Sequence, residues 1–244
     1  MVYSNATTRD IGGLTINVRD VKSCGMSFYD GYKELASSLM SKIQQKEAFI
    51  TMDSSPKITE LKNEMISRFP SLKLQLPSLP NDSKSFRFDW LTLFDYYKCH
   101  AAHDAPIDDD MIIHEQTVSS FMLHRFHMYY SDPHFLAHAS QSMLNDIIKV
   151  IKKETSRDEL HVFSCHDVTI LALLHALSVK DISSWPPYGA TLLFEINSEN
   201  EIKIYYNDQL LERKGSNNTL LTIEDLQNIN TQNDLLIQQH TSQL

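Results

Sequence analysis

The chain has 244 residues, and 42% of them are hydrophobic, which is enough apolar material for one large domain with a buried core. Its formal net charge is −9 and its basic residues form no cluster, which argues against general binding to nucleic acid. No apolar run is long enough to cross a membrane, and residues 1–5 lack the start of a signal peptide, so we expect no membrane segment and assign no compartment.

The first part of the chain predicts mainly helices. Alternating apolar and polar residues indicate irregular structure or a short strand within residues 2–18. Beyond that point, apolar residues recur three and four apart, which places them on one face of a helix. This spacing predicts helices over residues 27–45, 55–69, 86–99, 114–129 and 132–153.

The pattern changes after residue 159. The elements predicted there are a strand at 160–165, an almost wholly apolar helix at 168–177, and a hairpin of strands at 190–196 and 201–206. The chain is polar from Lys214 onwards, where we expect a short helix at 222–226 and a loose tail at 227–244.

His166 and Asp167 lie where the predicted strand ends and the apolar helix begins. In an α/β sheet this edge carries the chemistry, because the positive ends of helices meet the ends of the strands there. Backbone N–H groups at a helix start can hold an anion, and an imidazolium would add positive charge. Asp is also a good N-cap residue, so a capping role without catalysis is an alternative interpretation of the pair.

The surroundings of this pair resemble a known family. Residues 166–170, the helix after them, and the segments 187–190, 193–196 and 202–206 are similar to the C-terminal half of histidine acid phosphatases. The likeness is to the branch of the histidine phosphatase superfamily (branch 2) that includes 2-phosphoxylose phosphatase and the lysosomal and prostatic acid phosphatases. Residues 95–104 are similar to the helical insertion of that family.

The resemblance implies an α/β fold with a histidine-phosphatase-like sheet flanked by helices, incomplete at the N-terminus, with a mainly helical inserted cap. The expected organisation is a partial phosphatase domain at residues 1–213 and a polar tail at 214–244. Within the domain, residues 24–133 would be the helical insertion and residues 134–213 the C-terminal part of the α/β core.

The family hydrolyses phosphomonoesters through a covalent phosphohistidine. The resemblance implies that Asp167 is the catalytic general acid, that His166 is a catalytic residue that binds the phosphate, and that Arg9 is a further phosphate ligand. Arg9 as an ordinary surface residue is an equal alternative. The nucleophilic His of the family lies in an Arg-His-Gly segment, whereas this sequence contains no Arg-His dipeptide.

We therefore expect a truncated acid phosphatase that is inactive as this chain. One alternative is a non-catalytic binding or regulatory protein derived from a phosphatase. Another is a fragment that does not fold stably, because a sheet without its inner strands leaves edges unpaired.

The resemblance also implies a small-molecule or glycan phosphomonoester as ligand, no cofactor, no metal, and a homodimer as one candidate assembly. Members of the family are typically lysosomal, Golgi or secreted proteins. Triplets that fit N-glycosylation begin at Asn5, Asn81 and Asn217.

Three further groups of residues have less specific interpretations. If the chain meets an oxidising compartment, Cys24 and Cys99 are the pair to test for a disulfide, whereas Cys165 fits a small buried residue. Residues 108–110 fit a solvated acidic turn better than a calcium site. Four histidines at helical spacing suggest a metal site, but no carboxylate is clearly paired with them, so surface or interface histidines are favoured: His124, His127, His134 and His138.

Overall fold

A computed structural model describes residues 7–11, 14–18, 28–75, 86–152, 160–214 and 220–242. The strands are β1 (Thr7–Ile11), β2 (Leu14–Val18), β3 (Lys73–Gln75), β4 (Phe86–Phe88), β5 (Leu192–Ile196), β6 (Glu201–Tyr206), β7 (Gln209–Leu210) and β8 (Leu220–Thr222). The helices are α1 (Phe28–Gly31), α2 (Lys33–Gln44), α3 (Glu47–Asp53), α4 (Pro56–Arg68), α5 (Trp90–Ala102), α6 (Asp109–Ile112), α7 (Glu115–Tyr130), α8 (Pro133–Lys152), α9 (Asp167–Ala176) and α10 (Ile223–Thr241).

The protein is thus of mixed α and β structure, and its chain divides into two compact units. One unit contains residues 41–129, and the other contains residues 1–40 together with 130–244. All strand pairs in the described residues are antiparallel.

The unit of residues 41–129 is built from helices and the short β3–β4 hairpin. Proline fits the first position of α4, since its missing N–H would have no helical partner there. At the start of α5, the Asp89 carboxylate accepts a hydrogen bond from the Thr92 backbone N–H (3.2 Å). The buried Tyr97 donates its hydroxyl proton to the Met111 carbonyl oxygen (2.8 Å), so its polar atom is satisfied within the core.

A cation lies between aromatic rings in this unit. The guanidinium carbon of Arg125 is 4.9 Å from the ring centroid of Phe49 and 5.6 Å from that of Phe121. One of its nitrogens is 3.1 Å from the Asp53 carboxylate, which also pairs with Lys62 at 2.6 Å. Charge-assisted bonds and aromatic faces together stabilise this half-buried arginine.

The core of the other unit surrounds α9. Because α9 is apolar on nearly all sides, residues 169–174 are all buried. Helices α8 and α10 and the strands β5, β6 and β8 supply much of the same hydrophobic cluster. Ile202 and Ile204 of β6 point into this cluster, as the two-residue period of a strand requires.

Helix α10 follows β8 and packs antiparallel to α8. A capping box starts the helix, because the Thr222 hydroxyl accepts from the Asp225 N–H (3.2 Å) and the Asp225 carboxylate accepts from the Thr222 N–H (2.8 Å). Between the helices, the buried Asn233 side chain donates to the Ser140 hydroxyl at 3.0 Å. The next residue of each helix makes a second bond, in which Gln141 donates to the Asp234 carboxylate.

The predicted helices within residues 27–45, 55–69, 114–129, 132–153 and 168–177 are confirmed, as is the hairpin at 190–206. The predicted helix at 86–99 begins only at Trp90, because residues 86–88 form β4. The sequence did not indicate α3.

Two predictions are wrong. Residues 160–165 form no strand, and the side chains of Leu160 and Val162 are each 80% exposed. This apolar run lacks a neighbouring strand to complete its backbone hydrogen bonds among the described residues, and a strand cannot form without one. Residues 227–241 are not a loose tail, because they continue α10 against α8.

Candidate functional site

His166 and Asp167 occupy the start of α9. His166 is the N-cap residue with an extended backbone (φ −98°, ψ 159°), and Asp167 is the first helical residue. Both side chains are exposed, whereas the helix they introduce is buried from Thr169 onwards. The predicted position of the pair at a helix start is therefore confirmed.

Both carboxylate oxygens of Asp167 accept hydrogen bonds. Oδ1 accepts from the Val168 backbone N–H at 2.7 Å, and Oδ2 accepts from Nε1 of Trp185 at 2.6 Å. The indole belongs to the loop between α9 and β5 and is half-buried. Two donors from different parts of the chain thus hold the carboxylate in one orientation.

A pair of tyrosines lies behind the same helix start. Tyr130 donates its hydroxyl proton to the Val168 carbonyl oxygen at 2.9 Å. Since that proton is committed, the Tyr29 hydroxyl, 3.1 Å away, is the donor to the Tyr130 oxygen. Burial raises the pKa of Tyr130 well above its usual value, with further contributions from Tyr29 and Asp167, so the phenol stays a neutral donor.

Sequence reasoning missed Trp185, Tyr130 and Tyr29. Trp185 lies 18 residues beyond Asp167 along the chain, in a turn rich in proline. The residues around Trp185 indicated only a turn, and no sequence spacing relates Trp185 to His166 and Asp167. Tyr130 lies one residue beyond the helix predicted at 114–129, and no local pattern indicated a partner for its hydroxyl.

Backbone N–H groups at the start of α9 already form hydrogen bonds within the chain, which limits their capacity to bind an anion. The Val168 N–H is used by Asp167, and the Thr169 N–H points to the His166 carbonyl oxygen at 3.0 Å. An incoming anion would meet the exposed imidazole of His166 but would compete with Asp167 for the Val168 N–H. We expect any such anion to bind weakly.

The structure gives only the backbone placement of Arg9, in β1 opposite Ile16 of β2. Its side chain lies outside the described part of the structure, so its predicted role next to His166 stays a prediction. Cys24, Asn5, Asn81 and Asn217 also lie outside the described residues. Cys165 was predicted to be buried; it is partly buried and packs against the hydrophobic cluster around α9.

The histidines that were considered as metal ligands lie in different surroundings. His124 is exposed on α7. His134 and His138 face α10, where Nε2 of His138 lies 3.3 Å from Nδ1 of His240, a residue that the sequence had not indicated. Across the described ranges, no group of three or more His, Cys, Asp or Glu is arranged to hold a metal ion. The acidic residues 108–110 form the start of the short helix α6 rather than a turn, and Asp110 pairs with Arg68 at 2.8 Å.

A cavity of about 500 Å³ opens beside the other end of α9. Leu174 and Val179 form part of its apolar lining, and Lys180, Ser183, Tyr206 and others add polar groups. His166, Asp167 and Trp185 are not among its lining residues. The His-Asp pair is therefore an exposed surface feature rather than part of this cavity.

No protein-family model matches this chain, and no curated protein matches it either. Within the part of the chain that the structure describes, none of the helices combines the length and the apolar character needed to span a membrane.

Proposed function

We propose that this chain carries the proton-donating half of a phosphomonoester hydrolase site of the histidine acid phosphatase type, and that it does not hydrolyse phosphomonoesters on its own. Asp167 is the general acid and His166 a phosphate ligand. The observation that supports this proposal is the orientation of Asp167: two donors fix its carboxylate beside an exposed imidazole, at the start of α9.

The chemistry follows from what each group can do. An imidazolium at His166 neutralises charge on the oxygens of a phosphate, and a protonated Asp167 gives its proton to the leaving oxygen, which avoids expulsion of an alkoxide. Breaking the phosphorus–oxygen bond also needs a nucleophile. The family uses a histidine in an Arg-His-Gly segment, and no Arg-His dipeptide occurs in this sequence. Binding without turnover is therefore the proposed activity.

The finer fold assignment belongs to the same proposal. The segment 160–165, helix α9 and the hairpin of β5 and β6 follow one another in the order that the resemblance implies. We infer a histidine-phosphatase-like core formed by these elements, with the helical unit of residues 41–129 as its inserted cap.

A non-catalytic binding or regulatory protein is the second candidate. This second candidate is favoured by the exposure of the His-Asp pair, and by the absence of both residues from the lining of the cavity at the other end of α9. Catalytic sites usually exclude water from the reacting groups, which strengthens their electrostatic interactions. The pair at the start of α9 lacks that enclosure in the part of the chain described.

Two measurements distinguish these functions. The first follows hydrolysis of p-nitrophenyl phosphate by the unmodified chain, by His166→Ala and by Asp167→Asn. The second follows the imidazole resonances by NMR during titration with phosphate and with vanadate. His124→Ala serves as the control, because it removes an exposed histidine from the other unit.

We expect no turnover, together with anion-dependent shifts of the His166 resonances that are lost in His166→Ala and retained in His124→Ala. Turnover that disappears in both site variants would show a working enzyme and contradict the proposed inactivity. A folded chain with neither turnover nor shifts at His166 would leave the non-catalytic protein as the better account.

A further inference from the structure

Three histidine rings meet where α8 and α10 pack together. Nε2 of His138 is 3.3 Å from Nδ1 of His240, and their ring centroids are 5.5 Å apart. His134, one turn earlier on α8, has its ring centroid 5.6 Å from that of His240. His240 is buried near the end of α10, and His138 also stacks on the buried ring of Phe28 (5.8 Å, 12° between planes).

The hydrogen bonds of this cluster specify where its protons are. Nδ1 of His134 lies 3.2 Å from the Leu236 carbonyl oxygen, so this nitrogen carries a proton and donates it across to α10. The contact between His138 and His240 needs one donor and one acceptor, so at least one of these two rings is neutral. If both rings became protonated, two N–H donors would face each other and the bond would be lost.

We propose that His134, His138 and His240 form an acid-sensitive clasp, the histidine clasp, which holds the C-terminal turns of α10 on α8 at neutral pH and releases them in acid. The clasp is independent of the His166–Asp167 pair and of the function proposed for it. It assigns a regulatory role to the C-terminal segment of the chain: the position of its last turns responds to proton concentration.

The charges around His138 support this behaviour. Burial is the main cause that lowers the pKa of His138 from 6.5 to about 4, and the neighbouring His240 on α10 and His134 on α8 act in the same direction. Among the described residues of α1, the ring stacked on it is the uncharged Phe28. Asp234, a carboxylate of α10 at the contact with α8, accepts a hydrogen bond from Gln141.

The direction of the pH effect on α10 follows from the pKa of His138 in the packed and released states. When α10 is released, His138 returns to an ordinary pKa near 6.5 and takes up a proton more readily than in the packed state. The packed state is therefore fully favoured above pH 6.5 and loses that advantage as the pH falls towards 4. At pH 5 the ratio of released to packed α10 would rise about 30-fold without solvent screening, and about 10-fold once partial exposure of the ring is allowed for.

Hydrogen exchange measured by mass spectrometry tests the clasp in the full chain. Peptides covering the last turns of α10 are compared at pH 7.5 and pH 5.0, with each rate corrected for intrinsic exchange at that pH. The variants are His138→Phe, which keeps a ring against Phe28, and His138→Gln, which keeps a hydrogen-bonding side chain; neither can take up a proton. His124→Phe is the control, because its histidine is exposed on α7.

In the unmodified chain and in His124→Phe, we expect protection of these turns to fall about 10-fold between the two pH values. In both His138 variants, we expect a fall of less than about 3-fold. Equal falls in all four proteins would overturn the clasp, as would unchanged protection in the unmodified chain. If the variants do not fold, NMR titration of His138 in the unmodified chain decides: a midpoint below about 5 supports the clasp, and an ordinary midpoint near 6.5 refutes it.

Discussion

Replacing Leu226 with alanine tests whether the C-terminal helix is part of the core. Leu226 lies in the first turns of α10, has an exposed fraction of 0%, and belongs to the hydrophobic cluster around α9. If α10 were only a loosely attached tail, shortening this side chain would change the free energy of unfolding very little.

The size of the effect follows from the atoms removed. Leucine has three more carbon atoms than alanine, and each buried carbon group contributes about 0.8 kcal/mol, so the lost transfer free energy is about 2.4 kcal/mol. The cavity left behind adds about 1 kcal/mol, since the surrounding side chains relax only partly. We therefore expect Leu226→Ala to lower the free energy of unfolding by about 3 kcal/mol.

The same helix provides a matched control. Leu235 is 53% exposed on α10, so Leu235→Ala removes the same atoms from a site that stays in contact with water. We expect a change within about 0.5 kcal/mol. Both values are measured by urea denaturation followed by circular dichroism. Equal values for the two variants would refute the packing of α10 against the core.

Three further substitutions have defined outcomes. Thr222→Ala removes the capping box of α10 and should cost about 1 kcal/mol in urea denaturation, whereas Thr222→Ser should cost less than half of that. Trp185→Phe removes the indole donor to Asp167. The chain should stay folded by circular dichroism, while the side-chain carboxyl resonance of Asp167 should shift in NMR spectra. An unchanged resonance would contradict the hydrogen bond. Arg125→Met keeps the apolar stem but removes the charge between two rings, so it should lower the free energy of unfolding by about 2 kcal/mol, and a neutral result would show that Asp53 does not need this partner.

Most of the correct predictions about this fold came from the spacing of apolar residues in helices. The helix beginning at residue 133 has its buried side chains three and four positions apart, so its extent was predictable to within one residue at each end. The apolar helix α9 was equally clear from composition, since seven of its ten residues are apolar, and residues 169–174 are all buried. In both cases local spacing and tertiary packing favour the same structure.

The strand predicted at residues 160–165 failed for a physical reason. Apolar alternation indicates that a segment suits a strand, but a strand forms only when a neighbour completes its hydrogen bonds. The described sheet around β6 pairs β5 on one side and β7 and β8 on the other, and it does not include this segment. Sequence pattern alone could not reveal that.

Helix α10 was underestimated because its buried residues beyond Leu226 are polar. The side chains of Asn230 and Asn233 bond to α8, and His240 completes the clasp. A periodicity based on apolar residues gives these positions no weight, so the sequence predicted only the first turn. Buried polar side chains need a specific partner, and that partner becomes visible only in three dimensions.

The candidate site was predictable in part. The sequence correctly located His166 and Asp167 at a helix start, because N-terminal turns have recognisable residues. Trp185, which fixes the carboxylate, comes from a loop whose course depends on the packing of α9 against β5 and β6. Contacts of this kind follow from tertiary structure, so no local signal could have indicated them.

The pairing of α8 with α10 has a consequence during synthesis on the ribosome. Ser140 and Asn233 are 93 residues apart in sequence, and the bond from His134 to the Leu236 carbonyl spans 102 residues. While the intervening stretch is being translated, α8 of the nascent chain has no partner for this face. Long-range contacts form slowly and leave such surfaces accessible, so newly made molecules should depend on chaperones until the final residues emerge.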